Sequence, residues 1–179
     1  SRVLPMGAAL DIQADDVVVC VVAHPDDEAF CHGGLLARAV ATGAEVVVIS
    51  LTRGEGGRRR SPSEQSRGRA EEQGGLARCR EAELRAACEA VGAAPPRFLG
   101  AMDGAVDDRE PALRRALDDE LAALAPSLLL CGGPDGAYGH RDHLACWRLC
   151  EAAWRALHRE RTRLLQAARM AKRMGAQIM

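Results

Sequence analysis

Two short apolar runs, each leading into a cluster of histidines and carboxylates, constrain this sequence most strongly. The first run covers residues 17–22 and leads directly into residues 24–28, His-Pro-Asp-Asp-Glu. The second covers residues 128–131 and leads through a glycine-containing loop to residues 138–143, Tyr-Gly-His-Arg-Asp-His. Such runs predict strands buried on both faces, and residues just beyond the carboxyl ends of parallel strands line the ligand crevice. We therefore expect the two clusters to meet at one edge of a parallel sheet.

The first cluster has the composition of part of a zinc site. A catalytic zinc ion typically takes three nitrogen or carboxylate ligands and leaves a fourth position for water. His24 and Asp27 are assigned to the metal, because the fixed φ of Pro25 stiffens the turn so that both can converge on one ion. Asp26 then points elsewhere and is assigned as the general base that takes a proton from the attacking water. The alternative, that Asp27 and Glu28 merely favour a helix start, leaves His24 unexplained.

The second cluster offers two histidines three residues apart, of which one completes a three-ligand site. We assign His143 to the metal. His140 is then free to stabilise the oxyanion and to protonate the leaving amine, with Asp142 as a partner that orients an imidazole. The spacing by itself does not decide which histidine takes which role.

Both clusters resemble the hallmarks of the LmbE-like, or PIG-L-like, zinc-dependent N-acetylglucosaminyl deacetylase family. These hallmarks are Ala-His-Pro-Asp-Asp-Glu after the first strand, here at 23–28, and Gly-His-x-Asp-His after a later strand, here at 139–143. The landmarks between them also agree: Leu-Thr-Arg-Gly-Glu-Gly at 51–56, Arg80-x-x-Glu83, and Phe-Leu-Gly at 98–100 ahead of Asp103. The resemblance extends from about residue 17 through the helix after His143. It departs at Arg141, where relatives often carry proline.

The resemblance implies a metal-dependent amide hydrolase that removes the N-acetyl group of an N-acetylglucosamine-type amino sugar. In such enzymes the positions matching His24, Asp27 and His143 hold zinc. The position matching Asp26 is the base, and the position matching His140 supports the tetrahedral intermediate. One Zn²⁺ per chain is therefore expected, with another divalent metal such as Fe²⁺ as the alternative.

The same resemblance implies substrate contacts. Arg80 and Asp103 are expected to touch the sugar, and Tyr138 is expected to be a mobile active-site tyrosine. Two alternatives to an amino-sugar deacetylase stay open: an amidase acting on a thiol-sugar conjugate or an acylated antibiotic, and a catalytically silent binding module of the same fold. A nicotinamide dehydrogenase is rejected, because residues 31–34 lack the Gly-x-Gly-x-x-Gly order and follow an acidic run.

Strands and helices alternate along the chain, which predicts an α/β Rossmann-like three-layer sandwich. We expect a mostly parallel sheet in the order 3-2-1-4 with helices on both faces, so that the first and fourth strands lie side by side. A chain of 179 residues forms one layered core, and residues 1–179 are predicted to be a single domain. The predicted strands are 17–22, 45–51, 97–99 and 127–131, and the predicted helices are 30–42, about 76–92, about 107–126 and 142–157.

Two polar stretches fall outside this alternation. Residues 53–75 are rich in glycine and arginine and start at the end of the second strand, which predicts an active-site lid loop. Residues 159–179 are predicted to form a basic helical tail that includes Arg161, Arg163, Arg169, Lys172 and Arg173. Relatives continue with further strands at this point. The chain is therefore expected to be either shortened or a minimal member whose outer wall comes from another subunit of a homo-oligomer.

Charge and cysteine content restrict the partners. With 24 basic and 25 acidic residues the formal net charge is -1, which argues against a nucleic-acid partner. No stretch approaches the ~18 apolar residues of a membrane span, so no membrane partner is expected. Six of the seven cysteines are predicted to lie at apolar or inward positions, which is typical of reduced thiols: Cys20, Cys79, Cys88, Cys131, Cys146 and Cys150. We expect a cytoplasmic enzyme with a small-molecule amino-sugar substrate.

Overall fold

A computed structural model describes residues 10–57, 69–157 and 162–166 as a three-layer α/β sandwich. Its strands are β1 (Val17–Val22), β2 (Glu45–Thr52), β3 (Arg97–Ala101), β4 (Leu128–Cys131) and β5 (Arg163–Gln166). Its helices are α1 (Asp27–Thr42), α2 (Arg69–Val91), α3 (Pro111–Leu124), α4 (Gly136–Gly139) and α5 (Arg141–Ala156). None of the helices in the described part of the chain combines the length and apolar character needed to cross a bilayer.

The strands form one parallel sheet in the order β3-β2-β1-β4-β5. The predicted fold class and the order of the first four strands are confirmed, and β5 is an addition. In β1, Val19 and Val21 pack on the face covered by α3 and α5, whereas Val18, Cys20 and Val22 pack on the face covered by α1 and α2. Because side chains alternate between the faces of a strand, an all-apolar run buries both faces.

The predicted basic helical tail is wrong at residues 163–166, which form the strand β5. Residues 163–166 pair in parallel with β4, and Leu164 is fully buried in the core. Trp154 Nε1 donates a hydrogen bond to the Thr162 carbonyl at 2.9 Å, and the Arg163 guanidinium pairs with Asp16 at 2.9 Å. Strand pairing and these long-range contacts outweigh the local preference of a charged segment for helix. Other residues of the predicted tail lie outside the described part of the chain: Arg161, Arg169, Lys172 and Arg173.

Only part of the predicted lid at 53–75 lies among the described residues, and its last seven residues are helical. Residues 69–75 belong to α2, so this helix begins seven residues before position 76. The helix-favouring residues at 69–73, Arg-Ala-Glu-Glu-Gln, explain the earlier start, although the apolar periodicity begins only at Leu76. Residues 58–68 lie outside the described part, and a lid at those positions stays a prediction.

The seven cysteines are all free thiols. Five of the six that were predicted to face inward are buried: Cys20, Cys88, Cys131, Cys146 and Cys150. Cys79 is exposed, so its predicted position is wrong. Its side chain lies 3.7 Å from Glu83 on the outer face of α2.

Candidate metal centre

The carboxyl ends of four neighbouring strands supply the candidate site. β1 leads into His24, β2 into Glu55 and β3 into Asp103, while β4 leads through α4 to His143. Helices α1 and α5 both begin at this same edge of the sheet. Because β1 and β4 are adjacent, His24 and His143 meet although 119 positions separate them in the sequence. The expectation that the two clusters lie together is confirmed.

Three donor atoms form a triangle with the dimensions of a metal site. His24 Nδ1 lies 3.4 Å from Asp27 Oδ2, which lies 3.2 Å from His143 Nε2. His143 Nε2 lies 3.3 Å from His24 Nδ1, which closes the triangle. A tetrahedral zinc ion with bonds of about 2.0 to 2.1 Å needs donors about 3.3 Å apart. The three donors therefore fit one cation and leave a fourth position open.

Hydrogen bonds decide which nitrogen of each histidine is free. His143 Nδ1 donates to the Gly136 carbonyl at 3.3 Å, which leaves Nε2 with its lone pair. His24 Nε2 lies 3.0 Å from Asp142 Oδ2 and 3.1 Å from Asp103 Oδ1. Since carboxylates only accept, His24 Nε2 holds a proton, and a cation at the triangle would take the place of the proton on Nδ1. Pairs of this kind orient metal-binding imidazoles and raise their basicity.

Asp142 anchors this arrangement from the inside, with only 1% of its side chain exposed. Its Oδ2 accepts the Gly104 N–H at 2.7 Å and its Oδ1 accepts the Val106 N–H at 3.4 Å. These bonds tie the loop after β3 to the first turn of α5. The sequence predicts that Asp142 orients an imidazole, and the imidazole that its carboxylate contacts is His24.

A second group of donors overlaps the first. Atoms of His24, His140 and Asp142 also lie within 4.8 Å of one another. In this group, however, His140 Nδ1 already accepts the Asp142 N–H at 3.2 Å, and the Asp142 carboxylate accepts two other backbone N–H groups. Because these donors are engaged, the triangle that includes Asp27 and His143 is the better candidate for a cation.

The acidic surroundings shift the pKa values of the candidate ligands. Burial alone would lower the pKa of His24. Hydrogen bonds with three carboxylates outweigh burial and raise this pKa from 6.5 to about 11; they come from Asp103, Asp27 and Asp142. Burial would raise the pKa of Asp27, but hydrogen bonds from His143 and His24 hold it well below its usual range. The pocket favours positive charge, as a cation site requires.

Asp26 is not one of the three donors of the triangle, and its backbone is strained. Its φ of 108° lies in the left-handed region, which residues other than glycine adopt at a cost. Glu28 Oε2 accepts the Asp26 N–H at 2.9 Å and helps to hold this conformation. The Asp26 side chain is 66% exposed, and its Oδ2 lies 2.6 Å from Arg80 Nη2. The predicted base is thus open to an incoming molecule and fixed by one guanidinium group.

Tyr138 and His140 form the outer side of the site. The Tyr138 side chain is exposed, with its ring centre 6.1 Å from that of His140 and 5.6 Å from that of His143. The His140 ring centre lies 4.7 Å from that of His143. His140 therefore lies beside the donor triangle without being one of its corners.

The other two predicted substrate residues already have protein partners. Arg80 contacts Asp26 and also donates to Glu83 at 2.6 Å. Asp103 accepts from His24 and, through its other oxygen, from the Gly56 N–H at 3.0 Å. The hydrogen bond with His24 lowers the pKa of Asp103. Both residues lie at the site, where they position Asp26 and His24.

Sequence reasoning gave no role to two carboxylates of the site, Glu28 and Glu55. Glu28 is buried beneath Asp26, and burial raises its pKa. Glu55 Oε1 accepts the Asp103 N–H at 2.9 Å and so joins the loops after β2 and β3. Both belong to motifs that carry the family resemblance, at 23–28 and 51–56. The signal was therefore present, but only the contacts show what the residues do.

Comparisons with known proteins show which family this chain belongs to. Residues 19–154 match the family model described as PIG-L: GlcNAc-PI de-N-acetylase. A 1D-myo-inositol 2-acetamido-2-deoxy-alpha-D-glucopyranoside deacetylase from Thermobispora bispora is 37% identical over 160 residues, which cover 80% of this chain and 52% of that protein. The conserved protein TT1542 from Thermus thermophilus is 31% identical with a TM-score of 0.63, over 84% of this chain and 64% of that chain.

The fold is shared more widely. The N,N'-diacetylchitobiose deacetylase from Pyrococcus horikoshii has a TM-score of 0.66 at 23% identity, over 80% of this chain and 52% of that chain. The present chain spans about half the length of the curated relative that it matches. The family match nevertheless contains both sequence clusters and all three donors of the triangle. The chain therefore belongs to the PIG-L family.

Proposed function

We propose that this chain carries the catalytic centre of a metal-dependent N-deacetylase acting on an N-acetylglucosamine-type amino sugar. The observation that carries the proposal is the donor triangle of His24, Asp27 and His143 with the exposed Asp26 carboxylate beside it. The Thermobispora bispora relative, named as the deacetylase of an acetamido sugar, supports the same reaction class. The proposed cation is Zn²⁺, one per chain, with Fe²⁺ as the alternative.

The chemistry divides between the cation and the side chains. A divalent cation at the triangle would polarise the amide carbonyl and lower the pKa of water. Asp26 takes the proton of the attacking water, and its contact with Arg80 fixes the direction of the carboxylate. His140 hydrogen-bonds the oxyanion and passes a proton to the leaving amine. Asp142 holds His24 in place throughout.

We further propose that Tyr138, Arg80 and Asp103 contact the sugar. The exposure of Tyr138 beside the histidine rings supports this role. Arg80 and Asp103 also hold Asp26 and His24, so a sugar hydroxyl that binds to them would be placed directly against the reacting groups. Orientation of the amide and positioning of the base would then depend on the same two side chains.

Acetate release from N-acetylglucosamine derivatives, measured with zinc restored, tests the proposal. We expect the wild type to release acetate and to stop when the metal is removed by a chelator. The Asp26→Asn variant should release no acetate, although it still binds zinc. Asp119→Asn, at an exposed position of α3, is the matched control and should behave as the wild type. A zinc-loaded protein that releases no acetate would overturn the proposal in favour of the silent binding module. Hydrolysis confined to thiol-sugar conjugates or acylated antibiotics would select the amidase alternative.

Two other expectations stay predictions. One is the cytoplasmic location, and the other is the homo-oligomer in which a second subunit supplies an outer wall. Cell fractionation tests the first, and the mass of the protein in solution tests the second.

A further inference from the structure

A cavity of about 650 Å³ borders the metal centre. It lies between the loop 104–109 and the first two turns of α5, and Asp142 belongs to its wall. Gly104 faces open space, since a Cβ at that position would meet no atom within 4 Å. The volume is that of a site for a small molecule.

Most of the acidic groups on this wall are already engaged. Asp108 pairs with Arg148 at 3.5 Å. The Asp142 carboxylate is engaged by a histidine of the metal centre and by two backbone N–H groups. One oxygen of Asp107 accepts the Arg109 N–H at 2.9 Å. Asp107 is therefore the one carboxylate among the described cavity-lining residues that has no guanidinium or imidazole partner.

Two guanidinium groups on the same wall are not engaged. Among residues 10–57, 69–157 and 162–166, the side chains of Arg109 and Arg141 have no hydrogen-bond or ion-pair partner. Arg141 is also the first residue of α5, so the positive end of that helix adds to its charge. A phosphate group carries up to two negative charges and three acceptor oxygens. It can therefore pair with two guanidinium groups at once, which a ligand with a single carboxylate does less well.

We infer that this cavity binds the phosphate group of a small phosphorylated molecule, at a site that adjoins the proposed deacetylation site through Asp142. The groups of the outer side of the metal centre, Asp26, Tyr138 and His140, are not part of the cavity wall. The cavity is larger than free phosphate requires, which leaves space for a body of the size of a sugar.

Calorimetric titration with glucose 6-phosphate tests this inference, with glucose as the uncharged control ligand. We expect one molecule of glucose 6-phosphate per chain, bound equally well with zinc present and after chelation, and no binding of glucose. The double variant Arg109→Gln/Arg141→Gln should weaken binding at least tenfold. Arg115→Gln should leave it unchanged, because Arg115 is an exposed arginine of α3 without an ion pair in the described part of the chain.

Arg141→Pro provides a second variant if the double variant does not fold. Proline is well tolerated at the first position of a helix, so this change removes the guanidinium group and keeps α5 intact. It should also weaken binding while acetate release is retained. Loss of binding on chelation would place the phosphate on the metal and overturn the inference. Equal weakening by Arg115→Gln, or no binding at all, would overturn it as well, whatever the result of the acetate assay.

Discussion

The inner and outer sides of the metal centre are built in opposite ways. On the inner side His24 Nε2 lies against Asp103 and Asp142, which in turn accept backbone N–H groups. On the outer side Asp26 and Tyr138 are exposed, at 66% and 76%. The inner side fixes the donors through contacts within the chain. The outer side leaves the groups proposed for chemistry open to substrate, which is where catalysis requires access.

Removal of a donor should have the largest effect. His143→Ala deletes one corner of the triangle, so zinc content should fall from one per chain to nearly none and acetate release should fall to background. Metal analysis after dialysis measures the first effect. His140→Ala is the matched variant and should keep the metal. If His140→Ala lost zinc while His143→Ala kept it, the roles of the two histidines would be exchanged.

On the outer side, Asp26→Asn should lower kcat by about 10²- to 10⁴-fold while zinc stays bound. Asparagine tolerates positive φ, so the backbone conformation at this position should persist. Steady-state acetate release together with zinc content measures the effect. A rate close to that of the wild type would remove Asp26 from the role of base.

The comparison predicts a different effect for the inner side. Asp142→Asn keeps the shape of the side chain but weakens its hydrogen bond with His24, so zinc affinity should fall by about 10- to 100-fold. Competition with a chelator measures this affinity. An unchanged affinity with a large fall in kcat would show that Asp142 acts on the substrate instead of on the ligand.

The smallest expected effect concerns His32, a histidine of α1 that is 5% exposed and whose Nε2 has no partner in the described part of the chain. Burial lowers its pKa from 6.5 to about 4. The unfolded chain therefore takes up a proton near pH 6.5, whereas the folded chain does so only near pH 4. The free energy of unfolding should fall over this window as the pH decreases.

Urea unfolding of the wild type and His32→Leu at pH 7 and pH 5 measures this effect. Other titrating groups act on both proteins, so the variant isolates the contribution of His32. The wild type should lose about 2 kcal/mol more than the variant between the two pH values. The same pH response in both proteins would show that His32 takes up its proton without loss of stability.

The sheet could be predicted as far as β4, because the runs at 17–22 and 128–131 are apolar at every position and so specify buried strands. β5 could not be predicted. Its position depends on contacts made only in the fold, such as the hydrogen bond from Trp154 to Thr162 and the burial of Leu164 against β4. The sequence of a four-residue segment next to charged residues does not indicate these contacts, so it does not predict a strand.

The same limit applies to the site. The donors could be proposed from residue types and spacing, because histidine and carboxylate at two strand ends have few other uses. The partners of Arg80 and Asp103 could not, because a contact such as Arg80 with Asp26 joins α2 to the loop after β1. Glu55 went unassigned for the same reason, since its acceptor role depends on how closely the loops after β2 and β3 approach each other.

Two helices begin at this edge of the sheet, α1 at Asp27 and α5 at Arg141. Each amino terminus carries about half a positive charge and attracts anions. In the proposed reaction this attraction does not end when the amide bond breaks, because acetate is itself an anion formed at the same point. With a divalent cation at the triangle to offset the surrounding carboxylates, the two helix termini would also slow the departure of the product, and accumulated acetate should act as an inhibitor.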